Sequence, residues 1–365
     1  MATGAPRVFI VGGTGAQGVP IVRGLVKDGA YRCLVLTRDT AFERAKALIE
    51  LGNVELLEGT FTQEAKMREG FRSCDYAFIN IDGFNAGEKN ELYWGIRAYE
   101  LALEEGVKFY IHGNLDYGYK KGGYDPKFRA GHYDSKGRVG EWVRFHTDAN
   151  GTRMGAALFT SGPYLEMILG QGTPMSPVIE EDGTVCWKVP LGAGAVPHVA
   201  LDDCGYYVKW LFDNQERANG MNLEIAVEHV DYNDLAAAFT RVTGKPAKYV
   251  DVDLDWYWQH GPMASAAKAT AGYNAGIGDP ASMNIRDNFT GFWNLFKHSA
   301  GNKGVLQRNY ELLDDIHPNR IKTAEQWLQI EHQKDIDAGL GGLCERAVNL
   351  KPVLKVAEDK RVGAL

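Results

Sequence analysis

The chain has 365 residues, 45% of them hydrophobic and 24% charged, with a formal charge of −7 at pH 7. That is an ordinary globular composition, long enough for a large core and for two packed units. It excludes a chain-wide basic footprint for nucleic acid and contains no run of the ~18 apolar residues that a membrane span needs.

Arg7 to Val11 (RVFIV) reads as a buried first strand, and it starts so close to Met1 that no signal peptide is expected. Pro20 to Lys27 follows as a helix with Ile21, Leu25 and Val26 on one side. Cys33 to Leu36 is a second strand, Ala41 to Leu51 a helix, Val54 to Leu57 a third strand and Tyr76 to Ile81 a fourth. Leu92 to Glu105 reads as a long helix, Val107 to Ile111 as a fifth strand, Lys136 to Phe145 as an amphipathic helix and Met154 to Phe159 as a sixth strand. Apolar runs that alternate with helices predict parallel strands and crossover helices: an α/β, Rossmann-type doubly wound sheet over residues 1–160. After Ser161, Gly/Pro-rich loops and short strands predict a smaller, mixed α/β substrate-side region over 161–320. Some return of the chain to the first unit is expected near 195–225, and a helical tail over 321–365. Tyr232 to Thr243 is a helix stopped by Gly244 and Pro246, whereas Leu254 to Gly304 reads as an aromatic loop-and-helix cap. The five cysteines (Cys33, Cys74, Cys186, Cys204, Cys344) never form Cys-x-x-Cys, and the nine histidines never form His-Glu-x-x-His. No disulfide scaffold and no metal site are expected, and the location expected is cytoplasmic.

The chemistry-bearing motif is Gly12-Gly13-Thr14-Gly15-Ala16-Gln17-Gly18, directly after the first strand and opening a helix. Gly12 allows the tight turn, Gly15 the close approach of a pyrophosphate, and Gly18 the packing of helix on strand, with helix amides facing the phosphate. The second strand ends Leu36-Thr37-Arg38-Asp39. An arginine there accommodates the 2′-phosphate of NADP, and Thr37 adds a hydroxyl, so NADP(H) is favoured. Asp39 leaves NAD as the alternative unless it caps the following turn. Asn80 and Ile81, at the end of the fourth strand, join the expected cofactor contacts. Tyr117-Gly118-Tyr119-Lys120-Lys121 contains a literal Tyr-x-x-x-Lys, but its glycines are a poor setting for the helix that pairing requires. Lys136, in His132-Tyr133-Asp134-Ser135-Lys136, starts a helix near the carboxyl edge of the sheet and is the better active-site lysine.

Val8 to Gly18, Thr37-Arg38, Ala77-Phe78-Ile79-Asn80 and Asp134-Ser135-Lys136-Gly137-Arg138-Val139 together resemble the NmrA-like family of atypical short-chain dehydrogenase/reductases. Asp231-Tyr232-Asn233-Asp234-Leu235-Ala236 and Arg241-Val242-Thr243-Gly244-Lys245-Pro246 resemble that family's substrate-side helix, so the likeness covers roughly residues 7–255. It implies a Rossmann domain that binds NADP(H) through Gly12, Thr14, Gly15, Ala16, Gln17, Gly18 and Arg38. It also implies that Lys136 is the lysine that serves the cofactor and, in isoflavone-reductase-like relatives, proton transfer. The sequence departs from the pattern where His112-Gly113-Asn114 replaces the usual serines and where no tyrosine stands four residues before Lys136.

Two functions follow. The first is an NADPH-dependent reductase that passes hydride to a carbonyl, imine or activated alkene of a small aromatic or polyketide-like molecule. Lys136, His112 and Tyr133 are its candidate proton-handling residues, and Tyr164 either joins them or packs over the nicotinamide. The second is a non-catalytic NADP(H) sensor that binds a regulatory protein partner. His198 is read as structural. Trp256, Tyr257, Trp258, Tyr273, Phe289, Phe292 and Trp293 either roof a substrate pocket or form a satellite core. No direct nucleic-acid or membrane partner is expected, and a homodimer is left open.

Overall fold

The computed structural model describes residues 4–150, 153–275, 279–354 and 365; Met1 to Thr3 and residues 355–364 of the expected tail lie outside the described residues. Six strands follow one another through the first part of the chain. They are β1 (Arg7–Val11), β2 (Arg32–Thr37), β3 (Val54–Glu58), β4 (Tyr76–Ile79), β5 (Phe109–Leu115) and β6 (Gly155–Ser161). Beyond them lie β7 (Val178–Ile179), β8 (Val185–Val189), β9 (Val196–His198), β10 (Asn222–Glu224), β11 (Glu228–Val230) and β12 (Ala247–Asp251). The central sheet has seven strands in the order β10-β6-β5-β4-β1-β2-β3, and every pairing in it is parallel. Strand order reverses between β1 and β4, whose carboxyl ends therefore diverge and leave a crevice at the switch point.

Parallel strands covered on both faces must be apolar throughout, and β1 shows why its run is unbroken. Val8 and Ile10 enter one core, whereas Phe9 and Val11 enter the other. The first core packs under α1 (Gly18–Val26) and α7 (Leu201–Asp213). The second lies under α3 (Glu64–Arg72), α4 (Gly83–Glu104) and α6 (Gly131–Asn150); α2 (Glu43–Glu50) follows β2, and α5 (Gly118–Lys121) is a single turn after β5. A third core holds the small sheet β12-β8-β7 against the helices Tyr232–Thr243 and Ile285–Lys297.

Four elements differ from the sequence reading. α6 opens at Gly131, five residues before Lys136, which therefore lies inside the helix and not at its start. β5 runs from Phe109 to Leu115 instead of ending at Ile111, because His112, Gly113 and Asn114 continue in register with Leu158, Phe159 and Thr160 of β6. α4 begins at Gly83, nine residues before Leu92: Asp82 caps it by accepting from Phe84 N and Asn85 N, and Gly87 breaks it at φ +75°. That opening turn, Gly-Phe-Asn-Ala-Gly, has loop composition and is held helical by its cap and its burial. The Tyr117–Lys121 stretch does form one turn of helix, but its lysines pair with Glu141, Asp116 and Glu224.

One buried ion pair ties the chain's later segments to this sheet. Arg308, with its side chain 0% exposed, donates two parallel hydrogen bonds to Asp116 at 3.0 and 2.7 Å, and its Nε reaches Ile225 O just past β10. Lys121 adds a third contact to the Asp116 carboxylate at 2.6 Å. Removing one partner strands a charge in a medium that cannot solvate it. Asp116→Ala is therefore expected to cost about 3–5 kcal/mol of stability, read as a fall in the urea midpoint; an unchanged midpoint would show that water reaches Arg308.

Candidate functional site

The site grows from the turn between β1 and α1. Gly12 sits at φ +86°, and a Cβ on it would lie 2.4 Å from Asn80 O. A Cβ on Gly18 would lie 2.1 Å from Gly12 O, so two backbone segments touch where any side chain would hold them apart. α1 starts with no side-chain cap and no acid in its first turn, which leaves its amide end and its positive dipole facing outward. These features open on a cavity of about 530 Å³. Gly12, Thr14, Gly15, Ala16, Gln17 and Gly18 line it, together with Thr37, Arg38, Asn80, Ile81, Lys136, Tyr133 and Tyr164. The glycine cradle and the uncapped helix end fit a dinucleotide pyrophosphate. At the end of β2, Arg38 lines the cavity while Asp39 closes the turn, its Oδ1 accepting from Ala41 N at 2.8 Å.

Beneath the cavity runs a chain of polar side chains. Gln17 donates to Ser161 Oγ at 2.9 Å and accepts from Asn80 Nδ2 at 2.9 Å. Asn80 Oδ1 accepts from Lys136 Nζ at 2.9 Å. The same ammonium meets Ile81 O at 2.6 Å, Gly113 O at 3.4 Å and the carboxylate of Glu91 at 2.9 Å, and Glu91 also accepts from Ser135 Oγ. Burial pushes the Glu91 carboxyl above its usual range while the Lys136 charge pulls it down. Sequence reading missed Glu91. It is one of four glutamates in α4, and only the packing of α4 on α6 shows its partner.

His112 is not in the cavity wall. It lies in the body of β5 at 2% exposure, and burial first, then the Lys136 charge, hold its pKa down to about 3. The sequence reading placed it at the strand end because it stopped β5 too early. His198 is wholly buried between Pro163 O and the Tyr232 hydroxyl, each at 3.1 Å, a structural position.

The aromatic set divides. Tyr273, Phe289 and Phe292 line the cavity, whereas Tyr257 and Trp293 are fully buried core, Trp258 bonds Thr290, and Trp256 lies beside Lys188. Phe84 and His132 complete the cavity's aromatic end: Phe84 stacks on Phe289 with centroids 5.8 Å apart, and His132 lies 4.8 Å from Phe84. Sequence reading missed both, although His132 stands four residues before Lys136, the helical spacing sought elsewhere for tyrosine and lysine.

The model of the NmrA-like family matches residues 5–274. The chain belongs to the NmrA-like family. An NmrA-like family domain-containing protein of Dictyostelium discoideum is 30% identical over 105 residues, 29% of this chain and 34% of its own length. The NmrA-like family domain-containing oxidoreductase malD of Malbranchea aurantiaca is 26% identical over 279 residues, 70% of this chain and 80% of its own. Among solved structures, NmrA, a negative transcriptional regulator, in complex with NADP superposes with a TM-score of 0.63 at 17% identity, covering 92% of this chain and 98% of that one.

In this NmrA-like chain the wall thus holds the glycine turn at one end, a hydrogen-bonded lysine at the middle and apolar rings at the other. Tyr133 is 2% exposed, and burial pushes its phenol well above the ordinary range, so it stays protonated at neutral pH. Buried His112 has its pKa below the unfolded value of about 6.5, so the folded chain binds fewer protons than the unfolded one as the pH falls from that value towards 3. Its contribution to stability is complete above pH ~6.5 and is lost on acidification. Replacing it by His112→Leu should make the loss of stability between about pH 6.5 and 4 shallower than in the wild type, by about 1 kcal/mol per pH unit; parallel urea midpoints for the two proteins across that range would refute the burial effect.

Proposed function

We propose that the chain is an NADP(H)-dependent oxidoreductase that reduces a carbonyl, imine or activated alkene of a small aromatic or polyketide-like molecule. One observation carries the reading: the glycine cradle, Arg38, Lys136 and an aromatic-lined space all open into a single cavity large enough for a dinucleotide end and a small molecule together. The oxidoreductase name of the Malbranchea relative and the NADP in the NmrA neighbour support it. When bound, the cofactor supplies the hydride. The backbone amides at Gly12 to Gly18 meet the pyrophosphate charge and Arg38 meets the 2′-phosphate, whereas the Thr37 hydroxyl donates to Asp39 O at 3.1 Å and shapes that turn. Tyr164 offers an apolar face beyond the cradle and helps exclude water. The Lys136 ammonium stands beside the reacting centre, held in place by Asn80, Ile81 O and Glu91, and either it or the phenol of Tyr133 gives the proton that completes the reduction.

A second reading is a sensor that binds NADP(H) and a protein partner without turnover. It is favoured by the full set of protein acceptors around the Lys136 ammonium, and the NmrA neighbour is titled a negative transcriptional regulator. Fluorescence titration with NADPH and NADH, followed by NADPH oxidation against aromatic ketones, quinones and enones, separates the two. Turnover of any panel member establishes the reductase, binding without turnover of any of them favours the sensor, and failure to bind either nucleotide overturns both.

Arg38→Asp removes a charge-assisted contact of about 1.5–3 kcal/mol. It should weaken NADPH roughly 10- to 100-fold while changing NADH much less; equal losses would remove Arg38 from the 2′-phosphate role. For an active substrate, Lys136→Ala should lower kcat by about 100-fold or more with the circular dichroism spectrum unchanged. An unaltered kcat would show that Lys136 only supports the fold.

A further inference from the structure

We propose that His132 is a specificity-determining residue. It is a neutral imidazole held in its Nδ1–H form by Asn288, and its Nε2 accepts a hydrogen bond from an O–H or N–H group on a planar aromatic substrate. This deepens the reading of the cavity as a joint cofactor and substrate site, and rests on it for the identity of the ligand as a substrate.

The tautomer follows from Asn288. That side chain is 0% exposed, and its Oδ1 accepts from the His132 backbone N–H at 3.2 Å. A backbone N–H can only donate, so the amide must present oxygen, not nitrogen, at that point. The same oxygen lies 3.0 Å from His132 Nδ1, which must therefore carry the ring's proton. A neutral imidazole has a single N–H, so Nε2 is left with a lone pair. Burial, together with the Lys136 charge one helical turn further on, holds the ring's pKa down to about 4, so the neutral form prevails at physiological pH.

Among the described residues the His132 ring bonds through Nδ1 alone, and His132 lines the cavity. The imidazole sits among rings: Phe84, Phe289 and Phe292, with centroids at 4.8, 5.2 and 5.9 Å from its own. Tyr273 and Ile285 line the same cavity. A flat apolar molecule fits such faces, but on entry it strips water from Nε2. Only a substrate that carries its own donor restores that hydrogen bond, and a ring without one leaves a buried acceptor unpaired. The ring's one N–H is held by Asn288, so Nε2 has no proton to give in a reduction. Its part is recognition, and proton supply stays with Tyr133 or Lys136.

The test uses the full chain, with and without saturating NADPH, and isothermal titration calorimetry with 2-naphthol and 2-methoxynaphthalene. The two share a ring system and differ in the donor. The wild type should bind 2-naphthol about tenfold more tightly, and His132→Phe should bind both alike while keeping its NADPH affinity. Equal affinities in the wild type, no binding of either probe, or a preference that survives in His132→Phe would each overturn the proposal. The wild-type comparison needs no variant to fold. Because it is also run without nucleotide, loss of the cofactor reading (no NADPH binding) and loss of the His132 assignment (no donor preference) are separate results.

Discussion

The geometry of the whole site depends on how closely the chain can pass itself after β1. Gly12 O sits where a Cβ on Gly18 would be, and Asn80 O where a Cβ on Gly12 would be. These contacts bring the amino end of α1, the end of β4 and the turn itself onto one small area. A side chain at either position would push α1 away from the sheet. The helix amides, Gln17 and Asn80 would then no longer face the same space, and the cavity at the strand-order reversal would lose that part of its wall.

On that turn rests a second constraint, the solvation of Lys136. An ammonium taken out of water must be met by acceptors. Here they come from three elements: Asn80 and Ile81 after β4, Gly113 in β5 and Glu91 in α4. Gln17 and Ser161 extend the chain to the glycine turn and β6. The lysine is therefore both a charge at the cavity wall and a joint between sheet and helices. Arg308 and Asp116 repeat the device under β5 and β10, where a bidentate pair holds the later part of the chain against the sheet.

Much of the fold could be read directly. β1 is an unbroken apolar run because both its faces are buried, and the glycines after it have no local reason except a tight turn. Arg38 at the end of β2 and Lys136 on the helix after β5 also stood out, since position relative to a strand end is visible in one dimension. Element edges were less legible. His112-Gly113-Asn114 looks like the close of a strand, yet pairing with β6 carries it on, so His112 turns out to be core. The opening of α4 looks like a loop, and its Asp82 cap and burial make it helix.

The sequence by itself determined the doubly wound sheet, the place of the crevice and the glycine turn that opens on it, because periodicity and glycine requirements are local properties of the backbone. Only the tertiary structure decided which side chains complete the site. Glu91 meets Lys136 across two helices, Asn288 meets His132 from a helix more than 150 residues away in sequence, and the aromatic residues divide between cavity and core. Those outcomes depend on burial and on partners brought together by packing, and nothing in the spacing of residues along the chain records them.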